Sequence, residues 1–197
     1  MLQKVVFNGY TGQMNARFSP GQDASLPCAL ILQPNLKHGN ALSNRVTSHM
    51  FYAFVKNGFS TLHVDFNWDE TPLDVERGAK ELADIAAALD WLQLKNNESS
   101  SFWIAGFSFG AWAAMQLLMR RPEIEGFVIA SPAVETQDFS FLSPCPVSGL
   151  VAQGGCDTVV SEELVAQFVS KLRGQKSSKI EYSVMSEADH FFYKIFA

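Results

Sequence analysis

Short apolar runs recur along the 197-residue chain and are separated by segments whose apolar residues repeat every three or four positions. That alternation of short apolar runs and helical patterning predicts strand–helix–strand units and a mostly parallel sheet. Strands are expected near 3–8, 13–18, 28–33, 60–66, 101–106, 125–131, 147–152 and 178–184. The turn-rich Asn8-Gly9-Tyr10-Thr11-Gly12 joint predicts an antiparallel hairpin for the first two strands, and the parallel part follows from Cys28.

Helices occupy the gaps. Ser43 is placed to cap one in which Val46, Met50, Phe54 and Val55 share a face, and Gly58 supplies the left-handed residue that stops it after Asn57. Leu82, Ile85, Ala86, Leu89 and Leu92 form a sheet-facing stripe, with Glu81, Asp84 and Lys95 assigned to the solvated side. The segment after Ser108 is apolar nearly all round, which predicts a buried helix ended by Pro122, and a last amphipathic helix runs from about Ser161 to Leu172. No repeat or linker divides the chain, so residues 1–197 are expected to form one domain.

Composition narrows the function. A hydrophobic share of 47% and a charged share of 18% fit a folded domain, and the net charge of −5 without a Lys/Arg block argues against a nucleic-acid partner. The three cysteines form no CxxC pair and the four histidines are scattered, so neither a metal site nor a disulfide framework is expected. With no signal-like leader and no apolar run near ~18 residues, a cytoplasmic protein without a membrane partner is expected. No glycine-rich nucleotide loop follows a predicted strand, so no cofactor is expected.

The chemistry is concentrated in Ala105-Gly106-Phe107-Ser108-Phe109-Gly110-Ala111, a G-x-S-x-G sequence between an apolar strand and a helix. The glycines remove side chains that would clash across so tight a turn, and the serine hydroxyl projects above the sheet edge at a helix N-terminus. The alternative is a purely structural turn serine. A nucleophilic serine needs a base oriented by a carboxylate, in the chain order Ser, acid, His for this strand–turn–helix arrangement. Only His190 follows Ser108, so it is the expected base; in isolation it would pass for a surface-loop histidine. Asp157 follows an apolar strand through a Gly-containing loop and is the expected acid, although it could instead cap the following helix. Asp189 adjoins His190 too closely in sequence, and Asp138 precedes the strand.

An oxyanion hole would draw one N–H from Phe109 and a second from the loop after the third strand. Asn35 or Leu36 fits there, with Asn35 preferred for its amide, although Pro34-Asn35 also suits a simple turn. Leu36, Trp68, Phe107, Phe109, Phe191 and Phe192 could line an apolar acyl pocket; core packing is the competing role for at least half of the aromatic ones.

Together these segments resemble the α/β-hydrolase superfamily, and more narrowly small uncapped bacterial hydrolases of the dienelactone-hydrolase-like and acyl-peptidase-like kind. The resemblance runs through Gln33-Pro34-Asn35 with Gly39, Asn57-Gly58-Phe59-Ser60-Thr61-Leu62, Ala87-Ala88-Leu89-Asp90-Trp91-Leu92, the Ser108 segment, the stretch from Asp138 to Val147 and Ala188-Asp189-His190-Phe191-Phe192. It implies an α/β/α sandwich on an eight-stranded sheet with the second strand antiparallel, and a Ser108–His190–Asp157 triad. Members commonly carry His-Pro-His where this chain has Gln33-Pro34-Asn35, and a Gly/Arg loop where it has Asn67-Trp68-Asp69-Glu70, so a shifted substrate preference or reduced activity is expected. The chain stops seven residues after His190, where relatives continue into another helix, so His190 is expected to be less firmly held. Only Pro132 to Pro146 separates the sixth strand from the seventh, which leaves no room for a lid. An open site suits accessible small esters or thioesters. Small-peptide hydrolysis uses the same residues, and a degenerate, non-catalytic binding module is the alternative outside enzymes.

Overall fold

The computed structural model describes residues 1–23, 25–34, 42, 44–66, 75–99, 101–142, 144–174 and 178–193. Its strands are β1 (Gln3–Asn8), β2 (Gln13–Ser19), β3 (Cys28–Leu32), β4 (Ser60–Asp65), β5 (Phe102–Phe107), β6 (Ile124–Ala130), β7 (Ser148–Gly154) and β8 (Ile180–Met185). The helices are α1 (Arg45–Lys56), α2 (Val75–Lys95), α3 (Phe109–Leu118) and α4 (Glu162–Arg173). All eight strands join one sheet in the order β1-β2-β4-β3-β5-β6-β7-β8. β2 is antiparallel to both β1 and β4, and every other pairing is parallel.

Because neighbouring strand residues face opposite ways, β3 shows which helices lie where. Leu30 and Leu32 belong to a cluster with Ile85 of α2, Ala114 of α3 and Val165 of α4, whereas Ala29 and Ile31 pack against Phe51 and Phe54 of α1. The result is an α/β/α sandwich with α1 on one face and α2, α3 and α4 on the other. Strands buried on both faces need nearly continuous apolar sequence, which explains why all of β3 is buried. The described part of 131–147 holds turns and bends but no helix, so no cap covers the edge between β6 and β7.

Two helix assignments differ from the sequence expectation. The cap of α1 is Asn44, whose side chain accepts the Thr47 N–H at 3.1 Å, one residue after Ser43, which lies outside the described residues. In α2 the side chains of Glu81 and Asp84 are buried rather than solvated. Positions 81, 85, 88 and 92 follow one another at helical spacing, so Glu81 continues the sheet-facing stripe. Asp84 turns toward the β1–β2 hairpin, where it accepts the Thr11 N–H at 3.0 Å and the Thr11 hydroxyl. Gly9 leaves room for this approach: a Cβ there would come within 2.5 Å of Asp84 Oδ1, and the Asp84 side chain would have to shift.

Candidate active site

Ser108 links β5 directly to α3 with φ 55° and ψ −117°. A residue with a side chain rarely adopts that backbone, and such strain persists only where packing on both sides enforces it. Here the enforcement is visible. A Cβ on Gly106 would lie 2.2 Å from Gly110 O, and one on Gly110 would lie 2.3 Å from Gln33 O. Both glycines therefore permit a backbone crossing that any side chain would block. The Ser108 N–H donates to Ala130 O at 3.0 Å, which ties the turn to the end of β6. Although Ser108 occupies the cap position of α3, its hydroxyl makes no capping hydrogen bond. Its oxygen is thus not used by the helix, at the C-terminal edge of the sheet.

The edge gathers further strain. Among the described residues, the non-glycine positions with positive φ are Ser108, Ser131 and Phe192, which follow β5, β6 and His190 respectively. The Ser131 N–H donates to Ala152 O at 2.9 Å, so each strand end is fastened to its neighbour.

The β7–β8 end brings acid and imidazole together. Gly154 and Gly155 let the segment before His190 approach closely: a Cβ on Gly154 would meet Ala188 O and Asp189 O at 2.6 Å, and one on Gly155 would meet Ser186 O at 2.8 Å. Backbone bonds from Gly155 N–H to Met185 O and from Cys156 N–H to Ala188 O, both 2.9 Å, lock the approach. His190 Nδ1 then lies 2.8 Å from Asp157 Oδ2, with the Asp157 side chain fully buried and the imidazole nearly so. His190 is thus not a surface-loop histidine. Its ring sits 4.9 Å from that of Phe107, the neighbour of Ser108, and Phe191 stands edge-on to it at 5.1 Å.

Asp157 Oδ1 accepts the N–H groups of Val159 and Val160, both at 2.8 Å, and Oδ2 also accepts Gln153 Nε2–H at 3.1 Å. Burial alone would raise the carboxyl's pKa. The His190 hydrogen bond and the Val160 and Val159 N–H groups outweigh it and hold Asp157 below the ordinary carboxylate range. An ionised Asp157 can only accept, so the proton of a neutral His190 resides on Nδ1 and the lone pair on Nε2. The cap position of α4 is Ser161, not Asp157, so the two backbone N–H bonds of Asp157 serve the turn ahead of the helix.

The remaining sequence candidates separate. Phe109 is the first residue of α3 and places its N–H at the helix N-terminus beside Ser108. Phe107 corrects an expectation: it is fully buried with Val46, Ala130 and Phe192, and so forms the floor beneath His190 rather than a pocket wall. Phe192 is buried as well, whereas Phe191 remains 37% exposed. Asn35, Leu36 and Trp68 lie outside the described residues. An apolar groove of about 540 Å³ runs along the sheet face beside α1 and is not lined by Ser108, Asp157 or His190. Gln153 is the residue that sequence reasoning missed; the available signal was a polar side chain at the end of the otherwise apolar Leu150-Val151-Ala152 run. Among the described residues, no group of three or more His, Cys, Asp or Glu side chains could hold a metal ion, and no helix is long and apolar enough to cross a membrane.

A family model described as "Serine aminopeptidase, S33" matches residues 35–148, more than half of the chain. The chain belongs to this family of serine α/β hydrolases. The matched span includes Ser108 and ends before Asp157 and His190. An uncharacterized protein of Rickettsia prowazekii is 40% identical over 97% of the hydrolase and 82% of that protein. A solved structure of a protein of unknown function from Agrobacterium tumefaciens, a candidate α/β hydrolase, is 44% identical and superposes with a TM-score of 0.89, covering 98% of this chain and 88% of that one. An α/β serine hydrolase homologue from Coxiella burnetii is 25% identical with a TM-score of 0.80, covering 98% of the hydrolase and 90% of that chain.

Proposed function

We propose that the protein hydrolyses small carboxylic esters through an acyl-Ser108 intermediate, with His190 as base and Asp157 as the carboxylate that orients it. The observation that carries this is the buried His190–Asp157 hydrogen bond of 2.8 Å, formed at the same strand edge where Ser108 is held strained with its hydroxyl not used by the helix. In the acylation step His190 Nε2 takes the Ser108 proton as Oγ attacks the ester carbonyl. The imidazolium that results is stabilised by Asp157 and gives its proton to the departing alkoxide. Water, deprotonated by the same nitrogen, then attacks the acyl carbon, and His190 returns the proton to Ser108 Oγ as the bond to it breaks and the acid leaves. The Phe109 N–H, at the start of α3, is proposed as one donor to the carbonyl oxygen as it becomes anionic, with Asn35 as the other.

The open edge favours small, accessible acyl groups, and the partly exposed Phe191 ring offers them an apolar wall. Catalysis by this route calls for no cofactor. Cleavage of small peptides is the second reading, favoured by the aminopeptidase description of the matching family. Comparing p-nitrophenyl acetate with aminoacyl p-nitroanilides, at equal enzyme, ranks the two. The reading as a whole is tested by Ser108→Ala, which should lower kcat on p-nitrophenyl acetate by about 10⁴-fold or more. Unchanged turnover would contradict it.

A further inference from the structure

Gln153 lies at the end of β7, wholly buried, directly behind the carboxylate assigned to orient the base. Its Nε2 faces oxygen throughout: Asp157 Oδ2 at 3.1 Å, Val160 O at 3.1 Å and Gly154 O at 3.4 Å. Turning the amide over would set its carbonyl against a carboxylate and two further carbonyls, so the network fixes the assignment. Among the described residues no group bonds its Oε1 atom, which is buried and bears the cost of that orientation. A methionine of similar length would fill the space with no orphaned acceptor. A glutamine whose acceptor is sacrificed so that its donor can reach one carboxylate is best explained by what that donor does.

The four bonds to Asp157 show the effect. Val159 and Val160 hold Oδ1, and His190 and Gln153 share Oδ2. Without Gln153, Oδ1 would still be held by Val159 and Val160, but only the imidazole would restrain Oδ2, and the tilt of the carboxylate toward the ring it aims would be less sharply set. The second Gln153 bond, to Val160 O, also closes the 155–160 turn that supplies the two N–H groups. We propose that Gln153 is a positioning residue, fixing the Asp157 carboxylate so that His190 Nε2 points at Ser108. This rests on the acyl-Ser108 reading above and extends it to a residue that touches no substrate.

Kinetics on p-nitrophenyl acetate and the labelling rate with a fluorophosphonate test it in wild type, Gln153→Met and Gln153→Glu. Loss of one hydrogen bond to a charged group should lower kcat and the labelling rate of Gln153→Met by about 10- to 100-fold, with KM unchanged within about twofold. Gln153→Glu should lose more, because a second carboxyl beside Asp157 either repels it as a carboxylate or takes up a proton that the two must share. A residue serving packing alone would leave kcat per folded molecule of Gln153→Met at the wild-type value, and that result overturns the proposal while wild-type labelling at Ser108 keeps the hydrolase reading standing. Wild type that never labels at Ser108 overturns both. Should the variants fail to fold, ¹⁵N-labelled wild type decides: the Gln153 side-chain amide should shift when Ser108 is phosphonylated and His190 becomes protonated, and an unmoved resonance counts against the positioning role.

Discussion

Two buried histidines, His190 and His63, receive opposite partners and so opposite chemistry. His190 Nδ1 meets the carboxylate of Asp157, whereas His63 Nδ1 lies 2.8 Å from the guanidinium of Arg17. Arginine can only donate, so His63 Nδ1 is an acceptor and its proton sits on Nε2, which is buried and has no hydrogen-bond partner among the described residues. Burial, helped by the Arg17 charge, pushes the His63 pKa down to about 3. His63 is a neutral structural ring on the α1 face of β4; His190 stands at the strand edge with its basic nitrogen turned away from its carboxylate. Burial does not distinguish the two sites. The charge of the group at Nδ1 does.

The largest effect should come from removing that charge at one site only. Asp157→Asn should lower kcat by about 10⁴-fold, because an amide favours the wrong tautomer of His190. His63→Gln should leave kcat per folded molecule unchanged, and equal losses in both variants would erase the contrast. Next comes geometry without chemistry. Gly154→Ala sets a methyl group 2.6 Å from Ala188 O and Asp189 O, so the segment carrying His190 must shift, and kcat should fall by up to about a hundredfold. His63 lies across the sheet from that change and its resonances should stay in place.

The third effect is thermodynamic and belongs to His63. Above pH 6.5 the ring is neutral in both folded and unfolded chains, so its environment costs nothing extra. Between about pH 6.5 and 3 the unfolded chain binds a proton there that the folded protein refuses, so stability falls as pH falls, by on the order of 4 kcal/mol. Asp157, held below the ordinary carboxylate range, adds a loss of the same sign at lower pH. Urea unfolding from pH 7 to 4 should show the decline in wild type and a shallower one in His63→Gln, whose side chain does not titrate. The smallest effect is expected at Phe191→Ala, a change in KM of a few fold with kcat retained, since the ring borders His190 from the exposed side.

Much of this was legible in the sequence because it rests on local pattern. All eight strands fall within two residues of their expected bounds, since short apolar runs bounded by turns are a local signal. The strand–turn–helix setting of Ser108 was legible for the same reason, its glycines being a steric requirement of the turn. What escaped depended on contacts between distant segments. Asp84 looked solvated because nothing local reveals that the β1–β2 turn, 73 residues earlier, supplies it with donors. Phe107 looked like a pocket wall because sequence cannot tell which side of His190 a neighbouring ring occupies. Gln153 was hidden by its own strand, a polar residue directly after Leu150-Val151-Ala152 whose meaning appears only once Asp157 folds back over it.

The central claim is that Ser108 is a nucleophile activated by His190. Reaction with a fluorophosphonate, followed by mass spectrometry of the peptides, tests it most directly. The expected result is a single adduct on Ser108 in wild type that is lost in His190→Ala and kept in His63→Gln; an adduct on another residue, or one that forms as fast in His190→Ala, would contradict it.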